Sequence, residues 1–267
     1  MYKMNFDDAL ALVAQQAEFE MPTGWGQGRT VYGGFVAALL MERALITLDD
    51  PEREPLSASI TFVGPVQYQR AKITVEILRE GSAVTTLEAR LWQNNQVQTI
   101  MLASFGKRRN SQIEIHQEAS VPAYPSYHQL EAMPFVEGLI PECFKQYELY
   151  WAEGKLPFHA SQHADFGGWF RFKQDVAIGK MRASHMVALA DIWPPGITPV
   201  FPQPAPASSL TWHLTFIQPL SLTCSDWLIY QVQTSCAKDG YATESAYIWD
   251  AHGHLLASSQ QTVTIFA

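Results

Sequence analysis

The chain is poor in cysteine, in basic charge and in long apolar runs, and each shortage removes a class of protein. Its three cysteines, Cys143, Cys224 and Cys236, are odd in number and far apart. They form neither a disulfide framework nor a CxxC metal knuckle, which fits a reducing compartment. Only 18 residues are Lys or Arg against 26 Asp or Glu, a formal net charge of −8. A nucleic-acid binder normally carries a basic stripe, so no nucleic-acid partner is expected. The best apolar run, Val31 to Leu48, is interrupted by Glu42 and Arg43. It falls short of a membrane span. The first twelve residues carry Asp7 and Asp8 and lack the apolar core of a secretion signal. These features lead us to expect a cytoplasmic protein without a membrane span.

Several catalytic signatures are missing too. There is no GxSxG nucleophile elbow and no P-loop. Gly24-Trp25-Gly26-Gln27-Gly28 is glycine-rich, but no strand–turn–helix with a downstream acid fits it as a dinucleotide site. His159 and His163 stand four apart, yet Gly154 and Pro157 nearby favour a loop and no third ligand is evident. The sequence therefore gives no reason to expect a metal or a cofactor.

What is present is a repeat. Ile60-Thr61-Phe62-Val63-Gly64-Pro65-Val66 reads like Leu214-Thr215-Phe216-Ile217-Gln218-Pro219-Leu220, an offset of 154 from Phe62 to Phe216. Ala89-Arg90-Leu91-Trp92 reads like Ala246-Tyr247-Ile248-Trp249, offset 157 from Trp92 to Trp249. Leu102-Ala103-Ser104 reads like Leu256-Ala257-Ser258, offset 154 again. An internal repeat of this kind means one structural unit used twice.

Each copy has the same element order. In the first, Gly33 to Leu48 has an apolar helical pattern. Four segments rich in β-branched and aromatic residues follow: Ser57 to Val63, Lys72 to Leu78, Thr85 to Trp92 and Val97 to Phe105. Gly64-Pro65, Glu80-Gly81-Ser82 and Asn94-Asn95 supply the turns. In the second, Lys180 to Trp193 reads as the helix, stopped by Pro194-Pro195. Strands are expected near 208–217, 227–235, 242–250 and 254–266. A helix and an antiparallel meander make an α+β unit, with the sheet wrapped around the helix that covers its apolar face. That is the hotdog layout. Two tandem units give a double hotdog, with an N-terminal unit over 1–110, a linker over 111–140 and a C-terminal unit over 141–267.

Val31-Tyr32-Gly33-Gly34-Phe35-Val36 at a helix start resembles the first-half pattern of the acyl-CoA thioesterase II family. Leu189-Ala190-Asp191-Ile192, Ala207-Ser208-Ser209-Leu210 running to Phe216 and Pro219, Trp227-Leu228-Ile229-Tyr230, and Leu256 to Gln261 follow that family's order in the second half. The resemblance spans nearly the whole chain and is weakest from 108 to 165. It implies a double hotdog that hydrolyses the thioester of acyl-CoA. It also implies a water activated by an Asp on the second helix, a Thr or Ser on the next strand and a Gln on the last. Matched by position, these are Asp191, Ser209 and Gln261.

The local chemistry of each can be weighed. Asp191 lies near the C-terminal end of its helix, in line with Ala183 and Val187. The helix dipole disfavours a carboxylate there by ~0.3–1 kcal/mol. It is either a functional group or a cap of the Pro194-Pro195 turn. Strand alternation puts Leu255, Ala257, Ser259, Gln261, Val263 and Ile265 on one largely apolar face, where an amide could hold a water or simply satisfy backbone groups. Alternation groups Ser209 with Thr211, His213 and Thr215, opposite Leu210, Trp212, Leu214 and Phe216. A bulge near Pro206 would instead turn Ser208 toward the site. Gly33-Gly34 would let a thioester carbonyl approach the unpaired N–H groups of a helix start, as well as making a tight turn. Arg29 and Lys107-Arg108-Arg109 could meet phosphates or lie solvated. Trp25, Trp193, Trp212 and Phe216 could shorten an acyl tunnel or belong to the core.

Two other readings remain open. A hotdog hydratase or dehydratase would need a proton-transfer pair, and the second helix offers only His185, six residues before Asp191 on another face. A non-catalytic acyl-CoA binder is compatible with the same fold. Open sheet edges favour a homo-oligomer.

Overall fold

The structure is a computed structural model and describes residues 3–115 and 118–266. The first half contains α1 (Phe6–Gln15), the short strands β1 (Glu18–Glu20), β2 (Gly26–Gln27) and β3 (Thr30–Val31), then α2 (Gly33–Leu48). Strands β4 (Glu54–Phe62), β5 (Arg70–Glu80), β6 (Val84–Gln93) and β7 (Gln96–Gly106) complete it. The second half contains β8 (Tyr147–Glu153), β9 (Phe166–Phe172), α3 (Ala183–Ala190), β10 (Ala207–Phe216), β11 (Leu228–Lys238), β12 (Tyr241–Asp250) and β13 (Leu255–Ile265).

The two halves share one antiparallel sheet of eleven strands, ordered β1-β5-β6-β7-β4-β10-β13-β12-β11-β9-β8. They join where β4 pairs with β10, with Thr61 opposite Thr211 and Ser57 opposite Thr215. The sheet wraps both central helices. From Gly34 to Met41 every residue of α2 is buried, and so is every residue of α3. A helix that is apolar on all sides is a core helix, covered here by sheet, by α1 and by its fellow helix. This is the double hotdog expected from the repeat.

The second helix is shorter than its apolar pattern suggested. It spans Ala183–Ala190 rather than Lys180 to Trp193, with Asp191 as its C-cap. Pro194 and Pro195 supply no N–H to continue the ladder. The last strands also correspond differently from the sequence match. Ala58 pairs with Ala103 and Trp212 pairs with Gln261, so the counterpart of Gln261 is Ala103, at an offset of 158. The likeness of Leu102-Ala103-Ser104 to Leu256-Ala257-Ser258 is thus out of register by four residues. An even slip keeps the same face, which is why the pattern matched.

Residues 119–133 lie against the outer face of the second half. Trp249 Nε1 donates to the Ala119 carbonyl (3.1 Å), Trp169 Nε1 to the Pro125 carbonyl (2.9 Å), and Tyr127 stacks on Trp227 at 4.4 Å. No described helix is long and apolar enough to cross a membrane.

Candidate active site

The helices run past each other so that the start of α2 meets the end of α3. At that meeting point the chain has two glycines. A Cβ on Gly34 would come within 2.8 Å of the Asp191 Cβ, and one on Gly33 within 3.1 Å of Asp191 Oδ2. Only side chains without a Cβ allow this approach. It lets the Gly34 amide donate to the Asp191 carboxylate. Tyr32, just before the glycines, donates its hydroxyl to the Ala188 carbonyl at 2.5 Å and pins one helix to the other.

Asp191, Gln261 and Ser209 come together in a single hydrogen-bonded chain. Ser209 Oγ donates to Gln261 Oε1 at 2.5 Å, and Gln261 Nε2 donates to Asp191 Oδ1 at 3.2 Å. The order fixes the amide: with Oε1 engaged by the hydroxyl, the NH2 must face the carboxylate. Gln261 is 9% exposed and sits between Trp212 on β10 and Glu244 on β12. Trp212 in turn donates its indole N–H to Ser259 on the same strand (2.8 Å).

Ser209 reaches this chain because of a bulge that simple alternation does not anticipate. Ser209 pairs with Val263 and Thr211 with the adjacent Thr262, which leaves Leu210 as an extra residue. The extra residue reverses the parity of everything before it. Ser209 therefore shares the inner face with Trp212 and Leu214 and not the outer face with Thr211 and His213. The bulge lies at Leu210 rather than near Pro206, and Ser208 points outward, exposed and opposite Thr264. Leu255 is a second departure. Leu256 is unpaired between Leu255 and Ala257, so Leu255 packs with Ile229 and Trp249 on the opposite side of the sheet from Ala257.

The environment of Asp191 is apolar and crowded. Burial pushes its carboxyl up to about 7, opposed by the hydrogen bonds from Gln261 and Gly34. The residue as a whole is half-buried. Tyr32, Cys143 and Tyr147 lie close enough that burial and the neighbouring charge hold all three protonated, well above their usual range. A carboxylate that is half protonated near neutrality can take a proton from water and return it. Sequence reasoning missed Glu244, a second buried carboxylate beside Gln261. Nothing in the sequence singled it out; its burial, at 4% exposure, emerges only in the structure.

The other end of the helix pair is the pseudo-symmetric counterpart, and it is built differently. Arg182 is the N-cap of α3 as Tyr32 is of α2, and the carboxylate at this end is Glu42. Glu42 accepts from Arg182 Nη1 (2.5 Å) and from Ser184 Oγ (2.6 Å). Pro55 stands where Ser209 stands and Ala103 where Gln261 stands. This end has lost the hydroxyl and the amide, and its carboxylate is ion-paired. His185 belongs to this end too: its Nε2 meets Asp7 Oδ1 at 3.0 Å, and its Nδ1 accepts from the Arg182 amide.

Of the remaining candidates, Lys107 pairs with Asp50 and Glu52, Arg108 pairs with Glu54, and Arg29 is exposed in a turn. His159 and His163 lie in a loop, and among the described residues no cluster of three metal-ligating side chains occurs. Trp25, Trp193, Trp212 and Phe216 are all core residues.

Comparison with known proteins bears on the fold and on the family. A family model for the acyl-CoA thioesterase N-terminal domain matches residues 21–106, and one for the acyl-CoA thioesterase C-terminal domain matches residues 124–265. Among solved structures, a hotdog-fold protein of unknown function from Alicyclobacillus acidocaldarius superimposes with a TM-score of 0.85 at 24% identity, over 98% of each chain. An acyl-CoA thioesterase II from Mycobacterium marinum gives a TM-score of 0.70 at 21% identity, over 88% of this chain and 89% of that one. A tesB protein from Mycobacterium avium subsp. paratuberculosis gives 0.75 at 17% identity, over 98% and 100%. No curated protein matches the chain.

Proposed function

Since this chain belongs to the acyl-CoA thioesterase family, we propose that it hydrolyses the thioester of an acyl-CoA to a free acid and CoA, at Asp191. The observation that carries this reading is the Ser209–Gln261–Asp191 hydrogen-bonded chain, ending on a buried carboxyl held near neutrality. Asp191 takes a proton from a water as its oxygen bonds to the thioester carbonyl carbon. The C–S bond then breaks, and the proton passes to the departing thiolate. Ser209 and Gln261 fix the carboxylate and orient the water. Gly33 and Gly34, at the positive end of α2, are the backbone donors that face the carbonyl oxygen. No covalent intermediate is required.

Hydration of an enoyl-CoA fits less well. It needs an acid–base pair, and no histidine among the described residues is hydrogen-bonded to Asp191. The candidate His185 is engaged with Asp7 at the opposite end of the helix. A non-catalytic binder differs only in turnover. Thiol release from a panel of acyl-CoAs separates the three: release supports hydrolysis, loss of the enoyl chromophore without release supports hydration, and saturable binding without either supports a binder. The edge strand β1, and the part of β8 that Ala132 and Met133 leave unpaired, support assembly of more than one chain, which sedimentation would measure.

A further inference from the structure

Glu244 has no counterpart in the set Asp191, Ser209 and Gln261, yet it is built into the same place. It lies on β12 directly opposite Gln261 on β13, faces inward and is 4% exposed. On its other side it faces Thr234 of β11. Its Oε2 accepts the Gly196 amide at 2.6 Å. That bond spans from the sheet to the turn that follows α3. Asp191 caps the helix, Pro194 and Pro195 have no N–H to give, and Gly196 supplies the first backbone donor after them. Gly196 is closely seated: a Cβ there would come within 2.8 Å of Thr234 Oγ1 and 3.2 Å of Glu244 Oε2. One hydrogen bond thus ties the segment carrying Asp191 to the strand beside Gln261.

Resting on the reading of Asp191 as the water-activating group, we propose that Glu244 is a positioning residue for the reaction, anchoring the turn after Asp191 and setting a second negative charge beside Gln261. The charge is not neutralised locally. Glu244 takes part in no described ion pair, and burial together with Asp191 pushes its carboxyl up to about 7. Repulsion between like charges is reciprocal, so an ionised Glu244 makes Asp191 a stronger base. The other titratable groups facing the pair are Tyr32 from α2, Cys143 from the turn before β8, Tyr147 from β8 and Tyr230 from β11. Burial raises all four, so none carries charge near neutral pH. The two carboxyls therefore titrate against each other.

The test combines carbon-13 carboxyl NMR with a pH–rate profile, using Asp191→Asn to identify the Asp191 signal. Glu244→Gln keeps the size and an acceptor for the Gly196 amide but removes the charge. The expected result is an Asp191 titration that moves down by about half a pH unit or more and becomes a single step. The acid limb of kcat/KM should move with it. An Asp191 midpoint and acid limb identical to wild type in a folded Glu244→Gln protein would overturn the proposal. If that variant does not fold, Glu244→Asp retains charge and shortens the tether. It is expected to lower kcat about tenfold with KM held, and an unchanged kcat would overturn the proposal. If wild type releases thiol from no acyl-CoA, the hydrolysis reading fails, while the NMR comparison still decides the electrostatic link.

Discussion

At Asp191 the structure sets burial against hydrogen bonding, and burial dominates. A carboxyl raised from 3.8 to about 7 gives a kcat/KM that falls as pH drops below about 7, because only the ionised form accepts a proton. Asp191→Asn should remove that function and lower kcat by about 10²–10⁴-fold. It should also stabilise the fold at high pH. The folded state holds a proton between pH 4 and 7 that the unfolded chain has lost, so wild-type stability declines as pH rises through that window and the full penalty is present above 7. The penalty is on the order of 2–4 kcal/mol, reduced by the partial accessibility of the residue. Asp191→Asn should therefore melt higher than wild type at pH 8, with the difference vanishing near pH 4; scanning calorimetry at both pH values checks this. Ser209→Thr should keep the hydroxyl and most of the rate. Ser209→Ala should free Gln261 to rotate and reduce kcat about tenfold or more, with KM little changed.

At the scale of elements, the site depends on two backbone irregularities. The first is the glycine pair that lets α2 touch the end of α3. Gly34→Ala would drive a methyl against Tyr32 and Asp191, and overpacking of this kind costs about 1–3 kcal/mol. Activity should fall further than stability, since the Gly34 amide would leave the carboxylate; paired denaturation and rate measurements test the split. The second is the bulge at Leu210. It also marks where the sequence stopped being legible. Alternation on β13 correctly placed Gln261 inward, because that stretch of strand is regular. The same rule grouped Ser209 with Thr211, His213 and Thr215, from which the bulge separates it, because a bulge shifts parity without any residue type that announces it. The glycines, the order of elements along the chain and the second helix were readable from apolar spacing and turn residues, whereas the sheet order departs from the simple meander expected: β4 pairs with β7 and not with β5. The helix end was overrun by three residues, since Ile192 and Trp193 continue an apolar pattern after the backbone has left the helix. The identity of the site residues came from resemblance rather than from spacing, and Glu244 was invisible to both.

At the scale of the whole molecule, duplication supplied two equivalent helix junctions and only one kept the complete set. At the other, Arg182 and Ser184 cover Glu42, and Pro55 and Ala103 stand where the hydroxyl and the amide would be. The chain should therefore have one reactive site and not two. Glu42→Gln should leave thiol release within about threefold of wild type while lowering stability, because Arg182 loses its charged partner. A comparable loss at Glu42 and at Asp191 would contradict the one-site account. The continuous sheet through β4 and β10 makes the halves a single packed body, which is why the Ser, Gln and Asp of the second half depend on the glycines of the first.

The measurement that bears most directly on the central claim is free-thiol release from acyl-CoAs of graded length, with wild type and Asp191→Asn run side by side. The account predicts turnover of at least one acyl-CoA by wild type, and a loss of about 10²-fold or more in the folded mutant. Turnover that survives the substitution would contradict the assignment of the site, and no release from any acyl-CoA would contradict the function.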